Sequence, residues 1–165
     1  MNTQELIDRE AIRDLLSSYV MTGDRAQLDD MGNVFTEDAI LTTPFMRLET
    51  RQGIAQGLAD LSADSREKEV LAKLTFLRHN ITTSHISFPS PSCAKGRTYF
   101  MVITDIGLDH TGTYVDDFVK QNNQWLISRR NTRIDYVAPE TLFLAHHYDF
   151  LKEQKALRTK KYRQQ

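Results

Sequence analysis

The feature that most constrains the fold is a change of hydrophobic period part-way along the chain. From Leu6 to Val20 the apolar positions are Leu6, Ile7, Ala11, Ile12, Leu15, Leu16, Tyr19 and Val20, with polar residues between them. That spacing predicts an amphipathic helix. Gly23 reads as its stop. Asp24 then opens a second helix: Gln27 stands at capping-box spacing, and Leu28, Met31, Val34 and Phe35 follow at helical intervals. A short strand over Ala39–Thr42 ends at Pro44, and Thr50 caps a third helix with the stripe Ile54, Leu58 and Leu61. Beyond this point the period is that of strands. Leu77–Phe88 is rich in β-branched residues and is closed by Pro89 and Pro91. Gly96–Ile106, Thr111–Lys120 and Trp125–Asp135 read as three further strands, the last two joined by a turn at Gln121–Gln124. Pro139 opens a final helical segment with Leu142, Phe143 and Phe150 as its apolar contacts.

Helices first and strands later argue for an α+β fold rather than alternating βαβ units. The short connections argue for a mainly antiparallel sheet. The expectation is one curved sheet over Leu77–Asp135 wrapped around the N-terminal helices, with Trp125 and Ile127 inside. At least one bulge should bend it between Leu77 and Ile106. A chain of 165 residues falls in the range of one domain. Residues 1–151 are read as that domain and 152–165 as a basic tail. The tail carries six Lys or Arg and one Glu, so the rest of the chain is −6 although the total is −1. The tail is either a solvated end or an arm packed on a neighbouring subunit or over the pocket.

The near-neutral total gives no reason to expect nucleic acid or an acidic membrane as partner. No apolar run approaches the roughly 20 residues of a membrane span. The polar, acidic start from Met1 to Glu10 does not read as a signal peptide. Cys93 is the only cysteine, which excludes an internal disulfide and fits a reducing compartment, so the cytoplasm is expected.

Specific residues extend this reading. The run Ile12–Tyr19, then Gly23-Asp24, Phe35–Ala39 (FTEDA), Arg78-His79-Asn80, Gly112-Thr113-Tyr114, Trp125-Leu126-Ile127 and Arg133 resembles, in order and spacing, the SnoaL-like branch of the nuclear-transport-factor-two-like superfamily. The resemblance runs from about Glu5 to Asp135. It implies a cone-shaped α+β barrel with a deep apolar pocket. It points most closely to cofactor-free dehydratases such as scytalone dehydratase and the bile-acid 7α-dehydratase, whose trimers also suggest a homo-oligomer here, trimer or dimer. The superfamily also holds isomerases, cyclases, epoxide hydrolases and non-catalytic subunits, so fold alone does not set function.

Five residues are candidates for chemistry. Tyr19, on the apolar face of the first helix, is either a core tyrosine with a paired hydroxyl or a donor to a substrate carbonyl, where it would stabilise an enolate. Asp24 is either a helix cap or the carboxylate that orients His79, as the resemblance implies. His79 opens a strand, and an imidazole can take and return a proton near neutrality; its match to a dehydratase histidine makes it the first choice for the base. His110 falls either on the pocket face, with Gly112, Tyr114 and Phe118 by strict alternation, or in a solvated turn beside Asp109. Arg133 shares parity with Trp125 and Ile127, so an unbroken strand sends all three to one side. It would bind a substrate carboxylate, or pair with Asp24 or another acid. Arg129 and Arg130 read as surface or interface residues. Phe100, Val102 and Tyr114 are expected to contact substrate along with Arg133.

Two departures bear on the resemblance. Val102 stands where the bile-acid enzyme has a further acid. Thr43 precedes Pro44 where the ketosteroid-isomerase branch has its aspartate base, which argues against a steroid isomerase. There is no glycine-rich phosphate loop or dinucleotide fingerprint. His146 and His147 are adjacent rather than at i,i+4, so neither a metal nor another cofactor is expected. Cys93 has no activating neighbour. The expected function is a cofactor-independent lyase (dehydratase) or isomerase acting on a small cyclic carbonyl-bearing compound by proton abstraction at His79. The alternative is a non-catalytic binding or assembly subunit, such as the small subunit of an aromatic-ring dioxygenase. Convergence of Tyr19, Asp24 and His79 on one accessible cavity distinguishes the two.

Overall fold

The structure is a computed structural model that describes residues 2–25, 27–67, 74–144 and 147–153. Three helices precede most of the sheet: α1 (Thr3–Asp24), α2 (Leu28–Met31, continued by a 3-10 turn over Gly32–Val34) and α3 (Arg51–Glu67). The strands are β1 (Phe35–Thr42), β2 (Arg47–Glu49), β3 (Arg78–Ser90), β4 (Cys93–Thr104), β5 (Gly107–Gln121) and β6 (Gln124–Val137). They form one sheet in the order β2-β1-β6-β5-β4-β3. Every neighbouring pair is antiparallel except β1 and β6, which run parallel. Most of the basic tail, from residue 154 onward, lies outside the described residues.

α1 lays Ile12 and Leu16 against the sheet, where Phe35, Leu41, Phe118, Trp125 and Ile127 meet them, while Val20 packs with Phe100, Val102 and Tyr114. Trp125 and Ile127 are 5% and 0% exposed, as the strand pattern requires. At one end of this core, Asp8 accepts hydrogen bonds from Lys120 Nζ (2.8 Å) and Trp125 Nε1 (2.9 Å), which pins the start of α1 to β5 and β6. Burial alone would raise the Asp8 carboxyl pKa, but the Lys120 and Trp125 bonds outweigh it and hold it below the ordinary value. The register of β3 on β4 shifts between Ile81 and Ser84 and again between Ser87 and Ser90, so the expected bulge is present. Pro89 is tolerated in β3 because that strand is at the sheet edge.

The helix boundaries differ from the sequence reading in one place that matters for the site. α1 does not stop at Gly23; it runs through Asp24. Asp24 therefore caps nothing, and the short helix that follows has Gln27 at its N-cap, with no side-chain bond. At Gly23 a Cβ would stand 2.8 Å from Met31 Cε, so the Met31 side chain packs over the glycine. Phe35, placed by periodicity at the end of a helix, instead begins β1. Thr50 does cap α3, its hydroxyl accepting the Gly53 N–H at 3.1 Å. The segment after Pro139 first forms a turn through residue 144, and residues 148–153 are helical.

Candidate functional site

Because α1 continues to Asp24, its last turn reaches the start of β3. The His79 backbone N–H donates to both Asp24 carboxylate oxygens, at 3.0 and 3.2 Å, and His79 Nδ1 lies 2.6 Å from Oδ1. One carboxylate thus fixes both the backbone and the ring of His79, and it leaves Nε2 free of that partner. Both side chains are largely enclosed, at 16% exposure for His79 and 9% for Asp24.

His110 reaches the same place from β5. Val102 pairs with His110 while Ile103 pairs with Leu108, so Asp109 is an extra residue in β5. A bulge of this kind lets two successive residues point inward, and Asp109 and His110 are 0% and 2% exposed. This settles the open choice about His110 against a solvated turn. His110 Nδ1 is 2.8 Å from Asp109 Oδ1. The two imidazoles stand with ring centroids 6.4 Å apart and planes at 85°. Phe143, from the turn after β6, stacks on His110 at 5.5 Å and meets His79 edge-on at 6.1 Å. Burial lowers the His110 pKa below its ordinary 6.5; Asp109 opposes that shift and His79 adds to it.

A cavity of about 470 Å³ opens on these groups, and Tyr19, Asp24, His79, Phe100, His110 and Tyr114 all line it. The rest of its wall is mostly apolar, with Leu58, Leu77 and Ile134 among the contributors. Phe100 and Tyr114 stack at 4.4 Å, an arrangement that Gly112 permits: a Cβ there would lie 2.5 Å from the Phe100 ring. Burial raises the Tyr114 hydroxyl pKa, so it stays protonated. Val102 is 0% exposed and packs with Val20, Phe100 and Tyr114; it supports the wall without reaching the cavity.

Arg133 is not in this cavity. In the β5–β6 pairing Phe118 faces Ile127 while Asp117 faces Arg129, so Ser128 is an extra residue that reverses the parity of β6 beyond it. Arg133 is consequently exposed and lines a shallow hollow on the other sheet face with Tyr99 and Thr113. Arg130 takes the inward position and is 0% exposed, against the expectation that it lies on the surface. Its guanidinium is gripped by both oxygens of Asp116 at 2.8 Å and lies between the Tyr19 and Tyr114 rings, 4.2 and 4.1 Å from their centroids. Burial would lower its pKa, but Asp116 more than offsets this. Arg130, Asp109, Phe143 and His147 are site features that sequence reasoning missed. His147 lines the cavity and stacks on Phe45 at 4.0 Å. The Asp109-His110 adjacency was a visible signal, but strict alternation sends two neighbours to opposite faces. Among the described residues no group of three or more His, Cys, Asp or Glu is arranged to hold a metal ion, and no helix is long and apolar enough to cross a membrane.

A curved, mainly antiparallel sheet closed over N-terminal helices, with a cavity at its mouth, defines a class of small α+β proteins. The family model of the SnoaL-like domain matches residues 4–131, and the chain belongs to that family. None of the curated proteins matches it. Among solved structures it is similar to a scytalone dehydratase-like protein from Novosphingobium aromaticivorans (20% identity, 84% of this chain and 91% of that one, TM-score 0.68). It is similar also to a hexachlorocyclohexane dehydrochlorinase, LinA-type3, from Novosphingobium barchaimii (20% identity, 82% and 92%, TM-score 0.66). A third is ActVI-ORFA from Streptomyces coelicolor (20% identity, 78% and 98%, TM-score 0.66). At these identities the likeness is one of fold.

Proposed function

We infer that the protein is a cofactor-independent lyase, a dehydratase or a closely related isomerase, acting on a small cyclic compound that carries a carbonyl group. The observation that carries this reading is the meeting of two aspartate-held imidazoles and two tyrosines in one largely apolar cavity. His79, its Nδ1 held by Asp24, removes a proton from the carbon beside the carbonyl. Tyr19 donates a hydrogen bond to the enolate oxygen as charge develops there. In the dehydratase, a hydroxyl on the next carbon departs as water; in the isomerase, the proton returns at a different carbon. Dehydratase and dehydrochlorinase both name eliminations, and proteins of both names share this fold. The reading includes a homo-oligomer, trimer or dimer, in the cytoplasm; a monomer at micromolar concentration in sedimentation equilibrium overturns that part.

The test is a panel of cyclic hydroxy-ketones and phenols, with turnover and solvent-deuterium uptake at the carbon beside the carbonyl as readouts. On any compound that reacts, His79→Ala lowers kcat by at least roughly 100-fold. Tyr19→Phe, which removes only a hydroxyl, lowers it as well. Wild-type turnover in both variants overturns the mechanism.

A further inference from the structure

The two carboxylates that hold the cavity imidazoles differ in what else they bind. Asp24 gives both oxygens to one residue, His79. Asp109 gathers donors from three parts of the chain. Its Oδ1 accepts from His110 Nδ1 at 2.8 Å and from the Thr141 hydroxyl at 2.6 Å. Its Oδ2 accepts from the Leu142 backbone N–H at 2.8 Å, the Phe143 backbone N–H at 3.3 Å and the Thr104 hydroxyl at 3.3 Å. Burial by itself would raise the Asp109 pKa, yet these donors together hold it down to about 2. The carboxylate is therefore ionised and can only accept. A nitrogen 2.8 Å from it must carry the proton.

We propose that Asp109 is a positioning residue that fixes His110 as the Nδ1–H tautomer, so that His110 presents a hydrogen-bond acceptor, and not a proton donor, to the cavity. His79, held at Nδ1 by Asp24, presents the same face. Tyr19 and Asp24 on α1, Arg78 and His79 on β3, Tyr114 on the same strand as His110, and His147 are the other titratable groups lining this cavity among the described residues. A wall with two acceptor nitrogens suits a ligand with hydroxyl groups to donate, which narrows the substrate class to a hydroxylated cyclic ketone. That consequence rests on the lyase reading; the tautomer does not. It also assigns the proton transfers. His79 Nε2 takes the proton from carbon, and the C–H electron pair forms the enolate double bond. The enolate then expels the neighbouring hydroxyl, whose C–O pair leaves with oxygen, and the His79 imidazolium returns its proton to that oxygen. One water is lost and both histidines end neutral. His110 accepts a hydrogen bond from the departing hydroxyl and transfers nothing.

The test reads the tautomer directly. Long-range proton–nitrogen correlation spectra of the ¹⁵N-labelled full chain, recorded above the His110 titration, show Nδ1 protonated and Nε2 bare for His110, assigned by its loss in His110→Gln. Asp109→Asn reverses this. Its amide oxygen must occupy the Oδ2 place, because two backbone N–H groups point there and cannot accept. Its NH₂ then faces His110 Nδ1 and forces the proton to Nε2. Thr141→Val removes a donor but keeps the carboxylate, and leaves the tautomer as in the wild type. Three results overturn the proposal: a protonated Nε2 in the wild type, an unchanged tautomer in Asp109→Asn, or a reversal in Thr141→Val. The wild-type spectrum is decisive by itself if Asp109→Asn does not fold. None of these readouts needs turnover, so the tautomer and the lyase reading fail separately.

Discussion

Arg130 brings a full charge into the interior with one carboxylate to answer it. Asp116 supplies two bonds at 2.8 Å, the guanidinium sits in the corner made by the edge-to-face Tyr19 and Tyr114 rings, and Nη1 has no partner among the described residues. Such a pair need not be worth much compared with apolar side chains of the same shape, but removing one member leaves an uncompensated buried charge. Asp116→Asn is therefore expected to lower unfolding free energy by about 3–5 kcal/mol in urea titrations, whereas Arg130→Met combined with Asp116→Leu comes much closer to the wild type. Equal losses in the two proteins would show that packing, not charge, sets the cost. The arginine also packs against both tyrosines that line the cavity, so the double substitution should impair turnover even where stability is kept. At this scale the sequence made Tyr19, Asp24 and His79 visible, since Asp24 and His79 stand at element ends in short motifs and Tyr19 lies on the apolar face of α1. It hid Arg130, because the residue three positions on, Arg133, had the parity that an unbroken strand would send inward.

The bulges decide which strand residues meet. β5 carries an extra residue at Asp109 and β6 carries two, the first at Ser128 and the second at Asp135, and each changes the inward set of the stretch beyond it. Period-two reasoning located all four long strands and placed Trp125 and Ile127 correctly, because those two precede the bulge. It failed beyond the bulge, since a single inserted residue leaves no mark in composition. The same limit appears in α1: Gly23 looks like a stop, but the helix runs through it to Asp24, and the glycine lies under Met31, a neighbour in space. Gly112 offers a test at this scale. A Cβ at this position would come within 2.1 Å of the Arg133 carbonyl oxygen and 2.5 Å of the Phe100 ring. Gly112→Ala must shift β6 or displace Phe100 from its stack on Tyr114, with an expected loss of roughly 1–3 kcal/mol. The urea midpoint should fall and the cavity wall should change together. An unaltered midpoint would mean that β6 yields freely, and with it the close pairing that sets the site.

Across the whole molecule, the groups that shape the cavity also tie its stability to pH. Asp109 moves from 3.8 to about 2 on folding. In that interval the unfolded chain binds a proton that the folded one does not, so its contribution is complete above 3.8 and is lost as pH falls toward 2. The full amount is on the order of 2 kcal/mol. His110 acts in the same direction at higher pH. Its folded value lies below 6.5 because burial disfavours the imidazolium, so stability is complete above 6.5 and declines as the pH falls below that value and through the folded one. The depressed Asp8 carboxylate, at the far end of the core, adds to the lower step. Urea midpoints read from Trp125, the only tryptophan, should be level near neutrality and then fall in two stages on acidification. The upper stage should be absent in His110→Gln, which has no imidazole to charge, while the carboxylate stage persists. A wild-type midpoint that holds steady from neutrality down to the carboxylate range would mean that His110 is as easily protonated in the folded chain as in the unfolded one. That would contradict its burial between Asp109 and Phe143.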